Sequence, residues 1–459
     1  MKNFIHKSLL IALCSSAIVA CKPTLDVPVV VPGSADFSKY ISIGDGTPGG
    51  YADASLNREA QLAAFPNLLA QQFKLVGGGE FIQPLVAEGK SYGFENNQPF
   101  TKYDLHYVKF CDGKTELYPQ QLYTISLIDI LQFKVSPVPT PTTPAPYYNN
   151  LAAQGTKIIY LNKKPTWNGT SDTYWKKISS TGATTGAGAA TMLSDALAQK
   201  PTFVSINVGT VDVYRYAKSG GNQDKGNDDF ITPLDQFHDS LYSIMNALTA
   251  NATNHVKGVI NNIIGIESFP YITYIKYDGL ILDDTKAAAL NTFYNGQFNF
   301  HAGRNAYVIY DPTASNGKRQ ITADEHILIE IPQDSLRCYE LGGKVPIWER
   351  WVLDATELNT IKSTVTEYNS MLKAAADAYN FAYTDNYTAM KDVVKGTQFE
   401  GIKLSSEFVN GNQFSLDGLN ISPLGQAVQA NSCIVAINAK YGSTLPMVDA
   451  TMTKGVIFH

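Results

Sequence analysis

The sequence predicts an α/β fold built on an open parallel sheet, and three observations lead there. A short apolar strand at Tyr40, Ile41 and Ile43 breaks into Gly44, Gly46, Pro48, Gly49 and Gly50 ahead of a helix-like segment. Glycine and proline at that density cannot continue the strand, so the chain turns at its carboxyl end. Two further apolar runs, Phe203 to Gly209 and Val256 to Ile264, read as buried core strands, with the helical pattern of Leu234 to Leu248 between them. Finally, Asp354 to Tyr379 places Leu358, Ile361, Val365, Tyr368, Leu372, Ala375 and Tyr379 in alternating steps of four and three, the spacing of a helix that lies on a sheet. Ligands of open α/β sheets sit outside the carboxyl ends of the strands, so the turn at 44–50 is the first candidate site.

The remaining elements follow in chain order. Leu56 to Phe73 has helical spacing at Leu62, Phe65, Leu69 and Phe73, with Pro66 marking a kink or a division into two helices. Residues 75 to 135 show no sustained period, and Gly77-Gly78-Gly79 within them reads as a turn because no P-loop lysine follows in register. The proline-rich stretch from Val135 to Pro146 must be extended chain. Residues 179 to 191 read as a loop, Ala189 to Leu197 as a helix, and Phe381 to Thr384 as a short strand. Asp354 with Glu357 can cap the long helix, and Ser422-Pro423 starts a last one that buries Ala427, Ala430, Ile434 and Ile437.

Composition removes several function classes. With 459 residues, 44% of them hydrophobic and 17% charged, the chain can bury a large core. A net charge of -5 gives no basic face, so no nucleic-acid partner is expected. No cofactor is implied and no metal constellation is seen. Asp224, Asp228 and Asp229 lack calcium-loop spacing and read as a solvated loop. The 26 tyrosines would suit sugar stacking if gathered in a cleft.

The amino terminus is a targeting segment. Lys2 and Lys7 precede an apolar run from Leu9 to Ala20 that is too short to span a bilayer and has the form of a signal peptide. Ile18-Val19-Ala20-Cys21 resembles the bacterial lipobox, which implies cleavage before Cys21 and lipid on that residue. The expected partner is therefore a lipid bilayer, reached through acylated Cys21. Residues 21–36 form a proline-broken tether, and the absence of an acidic cluster after Lys22 points to the cell envelope, at the outer membrane facing the periplasm. Cys14 lies in the signal peptide, leaving Cys111, Cys338 and Cys433, enough for at most one bridge; buried free thiols are the default expectation.

Four blocks carry a resemblance to a known family. Residues 41 to 54, Ile-Ser-Ile-Gly-Asp-Gly-Thr-Pro-Gly-Gly-Tyr-Ala-Asp-Ala, are similar to the first block of the SGNH/GDSL hydrolases as found in Bacteroidetes-type lipoproteins, Gly-Asn/Asp-Ser-Leu-Thr-Ala-Gly-Tyr-Ala-Asp-Gly. Tyr147 to Thr156, Tyr-Tyr-Asn-Asn-Leu-Ala-Ala-Gln-Gly-Thr, resembles the second block, often Asn-Asn-Leu-Ala-Val-Pro-Gly-Ala, whose glycine is Gly155 here. Gly209-Thr210-Val211-Asp212 matches the third, Gly-x-Asn-Asp, and Tyr216 to Gly221 continues in the manner of the lipoprotein subgroup. Asp417-Gly418-Leu419-Asn420, with Gly425, matches the last, Asp-Gly-x-His-x-x-x-x-Gly.

The resemblance implies a three-layer α/β/α domain over residues 37–445 with a flavodoxin-like parallel sheet, insertions at about 75–146 and 268–352, and a tail at 446–459. The second insertion is expected to form a cap beside the cleft. The resemblance also assigns roles, and most are unfilled. The nucleophile position is Gly46, which has no side chain; the base position is Asn420, whose neutral amide cannot take a proton; the oxyanion-donor position is Val211. Gly155 keeps its backbone donor, and Asp417 keeps the acid but has no histidine to orient. Asp212 is retained in a turn.

Removing one oxyanion donor costs about 10²–10³ in rate, and removing nucleophile or base nearly abolishes triad catalysis because they act as a unit. Thr47 could stand in as nucleophile only with a base, and His106, His238, His255, His301, His326 and His459 match no motif; His301, in the second insertion, is the nearest to a substitute. The expectation is a non-catalytic hydrolase-like protein that binds a glycan, acyl or protein ligand. The alternatives are a divergent esterase or lipase acting on carboxylic esters, and a purely structural envelope protein.

Overall fold

The computed structural model describes residues 29–453 apart from 96–97, 122–123, 138–146, 163–169, 183–188, 224–227, 251–255 and 339–340. The expected signal peptide, Cys21, most of the proline-rich stretch, the loop centre at 183–188 and Asp224 lie outside the described residues.

Four strands, β1 (Tyr40–Gly44), β2 (Phe203–Asn207), β3 (Lys257–Asn261) and β4 (Ala382–Thr384), form a parallel sheet in that spatial order. The segment around Asn149–Ala153 lies along the free edge of β1: Ser42 N–H donates to Asn149 O (3.0 Å), Leu151 N–H to Ser42 O (2.9 Å) and Ala153 N–H to Gly44 O (3.2 Å). Counting that segment second in the chain, the sheet order is 2-1-3-4-5, the flavodoxin arrangement. Both faces of these strands are buried, which is why their sequences are nearly continuous apolar runs.

Helices cover the two faces, giving three layers. The principal ones are α1 (Phe65–Lys74), α2 (Met192–Ala198), α3 (Thr210–Lys218), α4 (Leu234–Thr249), α5 (Ala355–Ala378) and α6 (Pro423–Tyr441). Tyr40, Phe203, Val259 and Ala382 point to α1 and α6, whereas Ile41, Ile43, Val204, Ile206 and Ile260 point to α2, α4 and α5. Helix α5 begins in a reciprocal cap, with Asp354 and Glu357 each accepting the other's backbone N–H at 2.8 Å. Its residues Leu358, Ile361, Val365, Tyr368, Leu372 and Ala375 are all buried, as their spacing predicts. Ser422 caps α6 by accepting from Gly425 N.

Three expectations need correction. Leu56 is not helical: it sits in strand Ser55–Asn57, and two helices follow, Arg58–Ala63 and α1, divided at Ala64. The described part of the expected tether is bonded to the domain, since Ser34 N–H donates to Tyr441 O (2.8 Å) and Thr444 N–H to Val31 O (3.0 Å). In the expected tail, Val448 and Ala450 are buried against α6.

The first insertion contains two hairpins, Ser91–Glu95 with Gln98–Phe100 and Asp104–Lys109 with Thr115–Gln120. The second insertion has a core of its own, including Leu280, Leu290, Val308, Ile327 and Ile347. A Cys111–Cys338 disulfide joins the tip of the second hairpin to it. Beside the bridge, Arg337 lies 3.6 Å from the centre of the Phe110 ring and 2.9 Å from Glu116. Cys433 is a buried free thiol. Among the described residues no helix is long and apolar enough to cross a membrane.

Candidate functional site

The sheet delivers a polar residue at the carboxyl end of each main strand. Asp45 follows β1, Asn207 ends β2, Asn262 follows β3 and Asn386 lies just beyond β4, and all four line one small pocket with Gly46, Thr47, Val211 and Asn420. The structure therefore brings together the three positions whose expected side chains are absent.

Gly46 opens a one-turn helix, Gly46–Gly49, capped by Asp45, whose Oδ1 accepts from Thr47 N at 3.0 Å. A Cβ on Gly46 would lie 1.5 Å from Gln154 Oε1 and 2.7 Å from its Cδ. The space that any side chain at residue 46 would need is thus filled by the carboxamide of Gln154. Gln154 has no role in the sequence reading, yet a signal was available: it stands where the resembling block has proline, directly before Gly155.

Asp45 is buried and forms the end of a relay. Gln429 Nε2 donates to Asn207 Oδ1 (3.0 Å), and Asn207 Nδ2 donates to Asp45 Oδ1 (3.3 Å). Burial, above all, pushes the Asp45 carboxyl up to about 7, with the charge of Asp212 adding to the effect.

Asp417 is fully employed, which corrects the expectation that it would orient nothing. Its Oδ1 accepts from Leu419 N and Asn420 N, each at 2.8 Å, and its Oδ2 accepts from Asn420 Nδ2 (2.8 Å) and Ala54 N (2.7 Å). The carboxylate therefore orients the side chain three residues on, as it would a histidine, but that side chain is an amide. It also ties this loop to the turn at the end of the first block, where Leu416 N–H donates to Asp53 Oδ1 and Asp53 N–H to Ser415 Oγ, both at 2.9 Å.

The third block begins α3. Val211 is buried and lines the pocket, and its side chain is hydrocarbon. Asp212 accepts from Ile158 N (3.0 Å) and from Thr232 Oγ1 (2.6 Å), which fixes the segment after Gly155 to α3. Burial raises its pKa to about 6. Next to it, Asp228 is buried and not solvated: it accepts from Tyr160 OH (2.9 Å) and pairs with the fully buried Lys157 (3.3 Å). Lys157 Nζ also donates to Phe230 O (2.6 Å), and burial lowers its pKa.

A second, larger pocket of about 240 Å³ continues from the first, sharing Gln154, Tyr214, Leu419 and Asn420 with it. Gly155 lies in its wall, as do Ile329 and Glu330 of the second insertion and both hairpins of the first. None of the described histidines lines either pocket; His301 is exposed on the second insertion. His255 and His459 lie outside the described residues. Among the described residues no group of three or more His, Cys, Asp or Glu is placed to hold a metal.

No family model matches the sequence, and no curated protein matches it. Among solved structures, a Parabacteroides merdae protein described as a GDSL-like lipase is similar over 89% of this chain and 100% of its own, at 10% identity and TM-score 0.35. Two variants of the acetyl xylan esterase Axe2 from Geobacillus stearothermophilus are similar at 11% and 12% identity. They cover 90% and 88% of this chain and 98% and 95% of their own, with TM-scores of 0.33 and 0.35. At these scores the similarities carry no argument about the site; the α/β class rests on the parallel sheet itself.

Proposed function

We propose that this chain is a catalytically silent SGNH/GDSL hydrolase-like lipoprotein of the cell envelope. It is anchored by lipid on Cys21 at the outer membrane, faces the periplasm, and uses its cleft to hold a glycan, acyl or protein ligand. One observation carries the reading: Gly46, Val211 and Asn420 converge on a single pocket, and Gln154 occupies the space a nucleophile would need. Acyl transfer requires a nucleophile, a base within reach and donors aimed at the oxyanion. Here the first position is filled by an amide oxygen, the second is an amide, and the third is hydrocarbon.

The test compares the natural protein with a Gly46→Ser, Gln154→Ala, Val211→Asn, Asn420→His variant on short-chain aryl esters. The natural protein is expected to be silent and the variant to turn over. Turnover by the natural protein would overturn the reading. A divergent esterase could use Thr47 with the neighbouring Asp45, both of which line the pocket; activity in the natural protein that Thr47→Val abolishes would establish it.

A further inference from the structure

The larger pocket has a lining of definite character. Its walls carry Phe100, Tyr103, Tyr118, Tyr214 and Phe408. Phe100 can lie flat on the neighbouring strand only because residue 93 is glycine; a Cβ there would be 2.1 Å from the ring. Tyr118 stands edge-on to Phe110 and Phe408, with ring centres 5.5 and 6.5 Å apart, so its orientation is set by packing. Polar groups interleave with these rings: Gln121, Gln154 and Asn420 carry amides, and the charged side chains are paired. Lys218 lies 2.8 Å from Glu330, and Arg215 lies 3.9 Å from Asp229 and 4.0 Å from Asp228.

At the inner end the small pocket adds two buried acceptors, Asp45 Oδ2 and Gln429 Oε1, that take no hydrogen bond from the described residues. Such acceptors cost free energy until a donor reaches them.

Each ligand class meets this lining differently. A hydrocarbon chain would leave the amides and the inner acceptors without partners. An anion would have to displace Glu330 or Asp229 from their cations. A sugar presents apolar C–H faces to aromatic rings and hydroxyls that both donate and accept, which matches rings and amides at once. At about 240 Å³ the pocket lies just under the roughly 300–1,000 Å³ of sites that enclose a whole drug-sized ligand, so it suits one or two rings of a longer chain.

We propose that the pocket binds a neutral oligosaccharide. Its ring faces lie on Tyr118 and its neighbours, and its terminal hydroxyls reach Gln154, Asn420 and the two inner acceptors. This rests on the non-catalytic reading above and names its ligand class. Gln154 and Asn420 then serve as recognition groups in the places where the family resemblance puts nucleophile and base.

The experiment titrates the purified protein calorimetrically with cellohexaose, xylohexaose, mannohexaose and chitohexaose, and separately with myristate and an unstructured peptide. At least one hexasaccharide is expected to bind. Tyr118→Ala should weaken it about tenfold and Tyr118→Phe should leave it nearly unchanged, with circular dichroism confirming that both variants are folded. Gln154→Ala should weaken it too. No binding by any sugar, binding of myristate or peptide alone, or sugar affinity indifferent to Tyr118→Ala would overturn the proposal. Release of acetate from an acetylated hexasaccharide would support the ligand class while overturning the silent-cleft reading, so the two fail separately.

Discussion

The two ends of the small pocket depart from a hydrolase in opposite ways. At the first block the position that the resemblance gives to a nucleophile is a glycine, and a half-exposed glutamine from another segment fills the space beside it. At the last block the acid remains, holding four N–H groups from two segments far apart in sequence. Asp417 matters to local structure whether or not any chemistry occurs, because removing it would leave four donors in a half-buried site without their acceptor. A nucleophile contributes to chemistry and little to packing, so a glycine with a neighbour leaning over it suffices. Retained acid is therefore poor evidence of activity, and a filled nucleophile space is better evidence of silence.

That contrast can be broken by measurement. Asp417→Ala should destabilise the fold by about 3–5 kcal/mol in chemical denaturation, and a variant as stable as the natural protein would remove the structural explanation for the acid. Asp45→Asn tests the relay by its pH dependence. The folded-state pKa of Asp45, about 7, lies above the ordinary 3.8, so between those values the folded protein holds a proton that the unfolded chain has released. Stability from this group is accordingly lost as pH rises from about 4 to 7 and is level above. The variant cannot ionise, so its advantage should grow over that window to on the order of 2–4 kcal/mol at pH 8; a pH-independent difference would contradict the assignment. Ala54 has φ +60 and Asp53 φ +52 in the turn that Asp417 secures. Ala54→Gly should therefore stabilise by about 0.5–1 kcal/mol, read as a shift in denaturant midpoint. The smallest effect is expected for Gln154→Ala, within about 0.5 kcal/mol of the natural protein. If it proved as damaging as Asp417→Ala, the two ends would not differ in kind.

The sheet and the long helices were legible because burial on both faces writes continuous apolar runs and a clean helical period, as in Phe203–Asn207 and Leu358–Ala375. Leu56 was misread because its strand is three residues long and turns on Asp53-Ala54, a turn without glycine in which both residues take positive φ. The hairpins of the first insertion were missed because their residues are mostly half-buried, which blurs the alternation. Lys157 and Asp228 left no trace, since each reads as a surface charge until the fold brings them together. The blocks single out Gly46, Val211 and Asn420, which do line one pocket, but what stands in the space at Gly46 depends on how the second block folds over it.

The Cys111–Cys338 bridge spans 227 residues of chain, and this bears on what proteolysis of the protein would look like. A single protease cut anywhere between the two cysteines would yield two fragments that still migrate as one band until reductant is added. The hairpin carrying Tyr118 and the insertion carrying Glu330 would stay covalently joined, so the two walls of the larger pocket would remain together in a nicked molecule.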